Sequence, residues 1–223
     1  MIVYGRQPVR ELLAAGRRPV ERIWATKVEE WPGAERASGE EIAQRAGSDA
    51  HQGVCALTTG YPYVGERELL REDAFLVALD EVTDVQNLGA IARTAEVAGA
   101  TGLVIPERRS AEVTPAACKA SAGAVEHLRI ARVRNLADFL GDSKAAGLWC
   151  YGADAAGRPY AQVDYSGGVV LVLGAEGKGL RPRVAKACDE LIALPVKGRI
   201  ASLNVSAAAA ALMYGILQEK SAP

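Results

Sequence analysis

Between residues 74 and 218 the chain alternates short, uncharged apolar runs with stretches whose apolar residues recur at helical spacing. The runs fall at 75–79, 102–105, 148–153, 169–173 and 191–194. A strand that is apolar at nearly every position has both faces buried, the condition of a parallel sheet covered by helices on two sides. Helices are predicted between the runs at about 87–98, 115–121, 135–146 and 181–187, with a last one at about 204–218. The expected class is therefore α/β with a parallel sheet. Ligands on such sheets bind beyond the carboxyl ends of the strands, so the loops that follow strands are the places to look for chemistry.

The first seventy residues have a different rhythm. Pro8 opens a short helix at 9–15 that Gly16 closes. A strand follows at 21–26 around Ile23 and Trp24, then a helix at 39–46 and an apolar run at 54–57. This is a small α/β unit, and the Gly-, Pro- and charge-rich stretch ending at Asp73 reads as a connection. The expected organisation is an N-terminal domain at 1–62, a linker at 63–73 and a larger domain at 74–223.

Composition narrows the function classes. Apolar residues make up 49% of the 223 positions and charged residues 24%, the balance of a globular protein. No segment approaches the ~18 uncharged apolar residues of a membrane span. Met1 to Arg6 lacks the basic and apolar regions of a secretory signal, so the cytoplasm is the expected compartment. Cys55, Cys118, Cys150 and Cys188 are widely spaced and read as buried small hydrophobes, and His51 and His127 are the only histidines. No metal site is expected, and a histidine triad has no parts to draw on.

Lys and Arg total 26 against 27 Asp and Glu, a net charge of −1. The distribution is uneven. Arg6, Arg10, Arg17, Arg18, Arg22 and Lys27 face only Glu11 and Glu21 in the first 27 residues, whereas residues 28–50 are acidic. Arg108, Arg109, Lys119, Arg129, Arg132 and Arg134 form a second basic stretch. A basic face for a polyanion fits this pattern, as does ordinary solvated surface charge.

Three loops merit inspection. The first runs from Asp80 into a helix bearing Asn87 and Arg93; taken alone, Asn87 reads as a helix N-cap and Arg93 as a surface arginine. The second is Gly174-Ala175-Glu176-Gly177-Lys178-Gly179, directly after the most apolar run. Its glycines permit close backbone approach to a ligand, but their spacing fits neither a P-loop nor a dinucleotide fingerprint. Glu176 would repel phosphate, so a neutral or cationic ligand is expected there. This also counts against a nicotinamide-dependent oxidoreductase. The third runs from Leu194-Pro195 to Ser202-Leu203-Asn204-Val205-Ser206, ahead of an alanine-rich helix for which Ser202 or Asn204 reads as the cap.

In this order, Asn87-x5-Arg93, then Leu173-Gly174-Ala175-Glu176-Gly177-x-Gly179, then Leu194-Pro195-x6-Ser202-Leu203-Asn204-Val205-Ser206-x-Ala208 resemble the three motifs of the SpoU (TrmH-like) RNA ribose methyltransferases. Lys119-Ala120-Ser121-Ala122-Gly123-Ala124 resembles the family's segment between the first two. Tyr4-Gly5-Arg6-x-Pro8-Val9 and His51-Gln52-Gly53-Val54 resemble the substrate-binding domain often fused to these enzymes, although the stretch from Thr26 to His51 is short for it.

The resemblance implies a C-terminal deep trefoil knot, a small L30e-like N-terminal domain, S-adenosyl-L-methionine as methyl donor and a homodimer. It implies transfer to a ribose 2′-hydroxyl of structured RNA, ribosomal RNA before transfer RNA, with a non-catalytic RNA-binding protein as the reading of another class. It places Arg93 at the reacting hydroxyl, with Asn87, Glu176, Ser202 and Asn204 as further catalytic-site residues. Gly174, Leu194 and Leu203 would hold the donor, and Arg6, Arg17, Arg18, Arg108 and Arg109 would meet RNA.

Overall fold

In the computed structural model the described residues are 1–200 and 202–220. Residues 1–58 build the first unit from β1 (Ile2–Tyr4), α1 (Arg6–Ala15), β2 (Val20–Ala25), β3 (Glu35–Arg36), α2 (Gly39–Ala46) and β4 (Val54–Thr58). The strands lie in the order β1-β4-β2-β3, with β4 antiparallel to both neighbours and β2 parallel to β3. Gly16 ends α1 in the left-handed conformation, as the Pro-to-Gly pattern foretold. Ser38 and Glu41 form a reciprocal capping box on α2.

Residues 75–220 contain β5 (Phe75–Asp80), α3 (Val85–Val97), β6 (Gly102–Pro106), α4 (Pro115–Ala120), β7 (Ile130–Val133), α5 (Leu136–Ala145), β8 (Leu148–Pro159), β9 (Gly168–Gly174), α6 (Pro182–Ala187), β10 (Glu190–Ala193) and α7 (Val205–Lys220). The sheet is parallel throughout, in the order β10-β8-β9-β5-β6-β7. Central β5 and β9 are buried along almost their whole length. Leu88, Ile91, Ala92 and Ala95 of α3 and Ala209, Leu212, Met213 and Ile216 of α7 cover one face. Leu136, Phe139 and Leu140 of α5 with Val184 of α6 cover the other.

The short strands β1 and β3 are not expected from the sequence, and two strands of the large sheet depart from expectation. β7 carries Arg132 inside it and Arg129 and Arg134 at its ends, so it does not read as an apolar run; as an edge strand it tolerates charge on one side. β8 continues past 153 to Pro159: residues 148–152 pair with β9 on one side, and on the other β10 pairs with Tyr151 and Gly152 and, after a register shift, with Arg158 and Pro159.

The two units share one core. Val3, Val9, Leu12, Ile23 and Val54 belong to the same buried cluster as Leu88, Ala117, Cys118 and Val125. The connection is packed as well: Val64 donates its N–H to the Ile130 carbonyl at 3.0 Å alongside the edge strand, and Leu69 is buried. The Tyr61 hydroxyl lies 2.8 Å from the carbonyls of both Val125 and Leu128.

Candidate functional site

At the carboxyl edge of the sheet, the ends of β8, β9 and β10 and the start of α7 enclose a cavity of about 440 Å³. Gly174, Glu176, Leu194, Ser202 and Leu203 all line it. Gly174 is there because nothing larger fits: a Cβ would stand 2.2 Å from the Gly179 carbonyl carbon. The loop folds back on itself, the Gly179 N–H meeting the Ala175 carbonyl at 2.9 Å.

Asn204 ties the loops together. Its Oδ1 accepts from the Ser206 N–H at 2.9 Å, which caps α7. Its Nδ2 donates to Asn87 Oδ1 at 3.1 Å and to Glu176 Oε1, the latter also facing the Val205 N–H at 3.4 Å. Asn87 is not an N-cap. Asp84 caps α3 through the Gln86 N–H at 2.9 Å, while Asn87 lies one turn inside, 6% exposed and turned toward the foot of α7. Residues from all three motifs thus meet in one hydrogen-bonded junction beside the cavity.

Arg93 is not part of this assembly. It stands on the exposed side of α3, outside the cavity lining and without a partner among the described residues. The helical spacing already implied this, since the apolar stripe of Leu88, Ala92 and Ala95 turns Arg93 away from the core.

Some lining residues escaped the sequence reading. Ala153 ends the apolar run of β8, and Asp154 and Ala155 lie just beyond it, where small and polar residues look like a loop. Gly157 was the available signal: its α-carbon passes so near Leu191 that a Cβ would be 2.6 Å from that residue's carbonyl carbon.

Arg18 corrects the RNA-facing set. Its side chain is 1% exposed and forms a bidentate pair with the equally buried Glu126 through Nε and Nη2. Nη1 donates to the Thr59 carbonyl at 2.9 Å. Arg17 donates to the carbonyls of Glu126 and Leu128, and both guanidinium groups lie over the Tyr61 ring. These two arginines join the N-terminal unit to the segment after α4. Arg6 pairs with Glu30, and Arg109 has Glu81 at 3.6 Å. Arg108 is exposed without a partner among the described residues.

The thiols behave as hydrophobes. Burial pushes Cys55 up to about 11 and Cys118, Cys150 and Cys188 up to about 12, far from nucleophilic duty. Among the described residues no three His, Cys, Asp or Glu groups cluster to hold a metal, and no helix is long and apolar enough to cross a membrane.

Comparison with known proteins decides the family. Residues 74–214 match the profile of the SpoU rRNA Methylase family. The chain belongs to the SpoU methylases. Residues 2–64 of this SpoU protein match the RNA 2′-O ribose methyltransferase substrate-binding profile. It is 35% identical over 238 residues to the 23S rRNA (guanosine-2′-O-)-methyltransferase RlmB of Pseudomonas putida, covering 98% of this chain and 96% of that one. To RlmB of Acinetobacter baylyi it is 37% identical over 197 residues, 83% of this chain and 78% of the other. Its fold superposes on the AdoMet-bound rRNA methyltransferase of Sinorhizobium meliloti with a TM-score of 0.85 at 28% identity, over 97% of this chain and 86% of that one.

Proposed function

We propose that this SpoU protein methylates a ribose 2′-hydroxyl of ribosomal RNA with S-adenosyl-L-methionine as donor, and that the cavity at the ends of β8, β9 and β10 is the donor site. The observation that carries the reading is the junction of Asn87, Glu176 and Asn204, which draws the three motif loops together at the rim of that cavity. Its volume lies in the range of small-molecule sites. Its lining suits the donor: Leu173, Ile192, Leu194 and Leu203 offer apolar surface to an adenosine, while Asp154 and Glu176 against the single cation Lys178 leave one net negative charge for a cationic ligand. When bound, the donor supplies a methyl group activated on a sulfonium centre.

The protein's own groups then have distinct tasks. Gly174 lets the backbone approach the ligand closely, and Leu194 and Leu203 press on it. Glu176, held by Asn204, orients the glycine loop, and Asn87 fixes Asn204 against α3. Ser202 offers a hydroxyl to the ribose or the RNA backbone. Arg93 offers five N–H donors and no acceptor, so it is not assigned the role of general base. Its task is electrostatic: to hold the acceptor ribose by its neighbouring phosphate and stabilise the oxyanion that develops as the 2′-oxygen is alkylated.

Arg93 lies apart from the cavity of its own subunit, which supports a homodimer whose reaction centre is completed between copies. Val97 of α3, Tyr214 of α7 and Leu203 at the cavity mouth are large apolar side chains left exposed, as an interface would require. The deep trefoil knot belongs to the same proposal. Close contacts at Gly157 against Leu191 and at Gly215 against the Tyr160 ring fit a chain drawn tightly through its neighbours. We assign the N-terminal unit an L30e-like RNA-binding role, with Arg6, Arg108 and Arg109 as phosphate contacts and the cytoplasm as the place of work.

The test incubates wild-type protein and Arg93→Ala with unmodified ribosomal and transfer RNA and methyl-labelled donor, followed by nucleoside analysis. Label on a ribose 2′-oxygen of ribosomal RNA, lost in the variant while donor binding persists, is the expected result. Label on transfer RNA instead would reassign the substrate, and absence of donor binding would refute the cavity assignment.

A further inference from the structure

Asp80 closes β5 at the carboxyl edge of the sheet, and its carboxylate is completely buried. It does not line the donor cavity. Among the described residues its carboxylate accepts two hydrogen bonds, both from Arg181: the backbone N–H reaches Oδ2 at 2.8 Å and Nε reaches Oδ1 at 2.7 Å, while Nη2 makes an ion pair with the same oxygen at 2.6 Å. Arg181 is the cap residue of α6 and follows directly on the loop Gly174–Leu180.

Asp80 therefore grips both ends of that loop. Its backbone is in register with Gly174 on the neighbouring strand, where the loop departs, and its side chain holds Arg181, where the loop returns. The five residues between Gly174 and Leu180 all line the cavity and include Glu176, the partner of Asn204. A second carboxylate reinforces the grip: Glu81, which adopts the left-handed backbone at φ 59°, places Oε1 3.5 Å from Arg181 Nη1. Such conformations persist in non-glycine residues only where the surroundings impose them.

With Asp80 fully buried and Arg181 partly in solvent, the pair adds little net stability compared with apolar side chains of the same volume, because desolvation of the carboxylate offsets the attraction. What it offers is orientation. A guanidinium with a backbone N–H beside it meets one carboxylate in a single geometry, which no apolar contact enforces. We propose that Asp80 and Arg181 are positioning residues for the methyl donor, acting on it through the Gly174–Leu180 loop and not by contact. The proposal rests on the reading of the cavity as the donor site.

The experiment measures donor affinity by calorimetry, steady-state kinetics and the unfolding midpoint for wild type, Asp80→Asn, Arg181→Lys and the double variant Asp80→Leu with Arg181→Met. Arg181→Lys keeps the charge and loses the fork, so it folds while testing geometry. Both single variants should raise the donor Kd and KM at least tenfold, with kcat at saturating donor and the RNA KM changed less than twofold. The double variant leaves no charge stranded in the interior, so its unfolding midpoint should return toward wild type while the donor Kd stays at least tenfold raised. A donor Kd that recovers together with stability, or single variants that bind donor like wild type, overturns the proposal. If the wild-type protein itself binds no S-adenosylmethionine, the donor-site reading falls and the proposal with it, an outcome distinct from variants that match a binding wild type.

Discussion

Replacing Glu126 by Ala removes one half of an ion pair whose two side chains are each 1% exposed. Arg18 keeps the Thr59 carbonyl at 2.9 Å and the Tyr61 ring, neither of which neutralises a cation sealed in the core. Breaking a buried pair from one side costs about 3–5 kcal/mol, because the remaining charge is left uncompensated. At about 2–4 °C per kcal/mol for a chain of this size, the melting temperature should drop by about 6–20 °C. Because a single cluster of buried side chains spans both units, the loss should appear in one cooperative transition. Calorimetry and urea unfolding measure it, with Arg18→Met combined with Glu126→Leu as the companion variant. That double replacement removes both charges and should recover most of the loss. A cost below about 1 kcal/mol for Glu126→Ala would mean that the pair behaves like a solvated surface bridge, and the account of a locked junction would be wrong. The same reasoning makes Arg18→Glu a destabilising change, so weakened RNA binding by that variant would say nothing about RNA contacts.

Gly174→Ala should lower donor affinity at least tenfold and cost about 1–3 kcal/mol of stability, since the new methyl meets the backbone of Gly179 and Leu180 and the loop must open; binding calorimetry checks it. Arg108→Glu with Arg109→Glu should weaken RNA binding and flatten its salt dependence without changing donor affinity, and an unchanged affinity at low salt would remove these residues from the RNA surface. Stability should fall on the alkaline side. Burial holds Cys55 up at about 11 and Cys118 and Cys150 at about 12, while the thiols of the unfolded chain ionise near 8.5. Above that pH the unfolded state binds fewer protons than the native one, so the stabilisation present in full at lower pH is lost as pH rises through the window, by up to about 1.4 kcal/mol per pH unit for each thiol. Urea midpoints at pH 8, 9 and 10 should decline less steeply when the three cysteines are replaced by Ala, and equal slopes would refute the assignment.

The parts of this molecule that were legible in the sequence are those where one physical cause acts locally. β5 and β9 are apolar throughout because both sheet faces are covered, and the run itself reports that condition. β7 has a neighbouring strand, β6, on only one side, so Arg132 fits within it and the apolar signal vanishes. The site divides in the same way. Gly174, Glu176 and Asn204 could be singled out because a glycine-rich turn and a helix start are local events. That Asn204 would use one end of its amide to cap α7 and the other to bind Asn87, 117 residues away, depends on the sheet order, which no local pattern encodes.

Charge patterning fails for a related reason. Arg17 and Arg18 look like surface arginines in the sequence because a count of neighbouring charges cannot see a partner 108 residues further on. Arg18 is so deeply buried that its charge is tolerable only because Glu126 is buried with it. Two units that present such a pair to each other pay a desolvation cost that is recovered only when they dock in one orientation. A flexible tether would waste that cost, so the N-terminal unit is held at a set angle to the helix that carries Arg93. The pathway of contact is direct: Glu126 lies on the segment that follows α4, and α4 packs against α3 so closely that a Cβ on Gly89 would stand 2.3 Å from the Cβ of Ala120. On the proposed function, an RNA bound by the N-terminal unit would thereby be presented to α3 in a fixed frame, which is what a transfer that depends on the placement of a single hydroxyl requires.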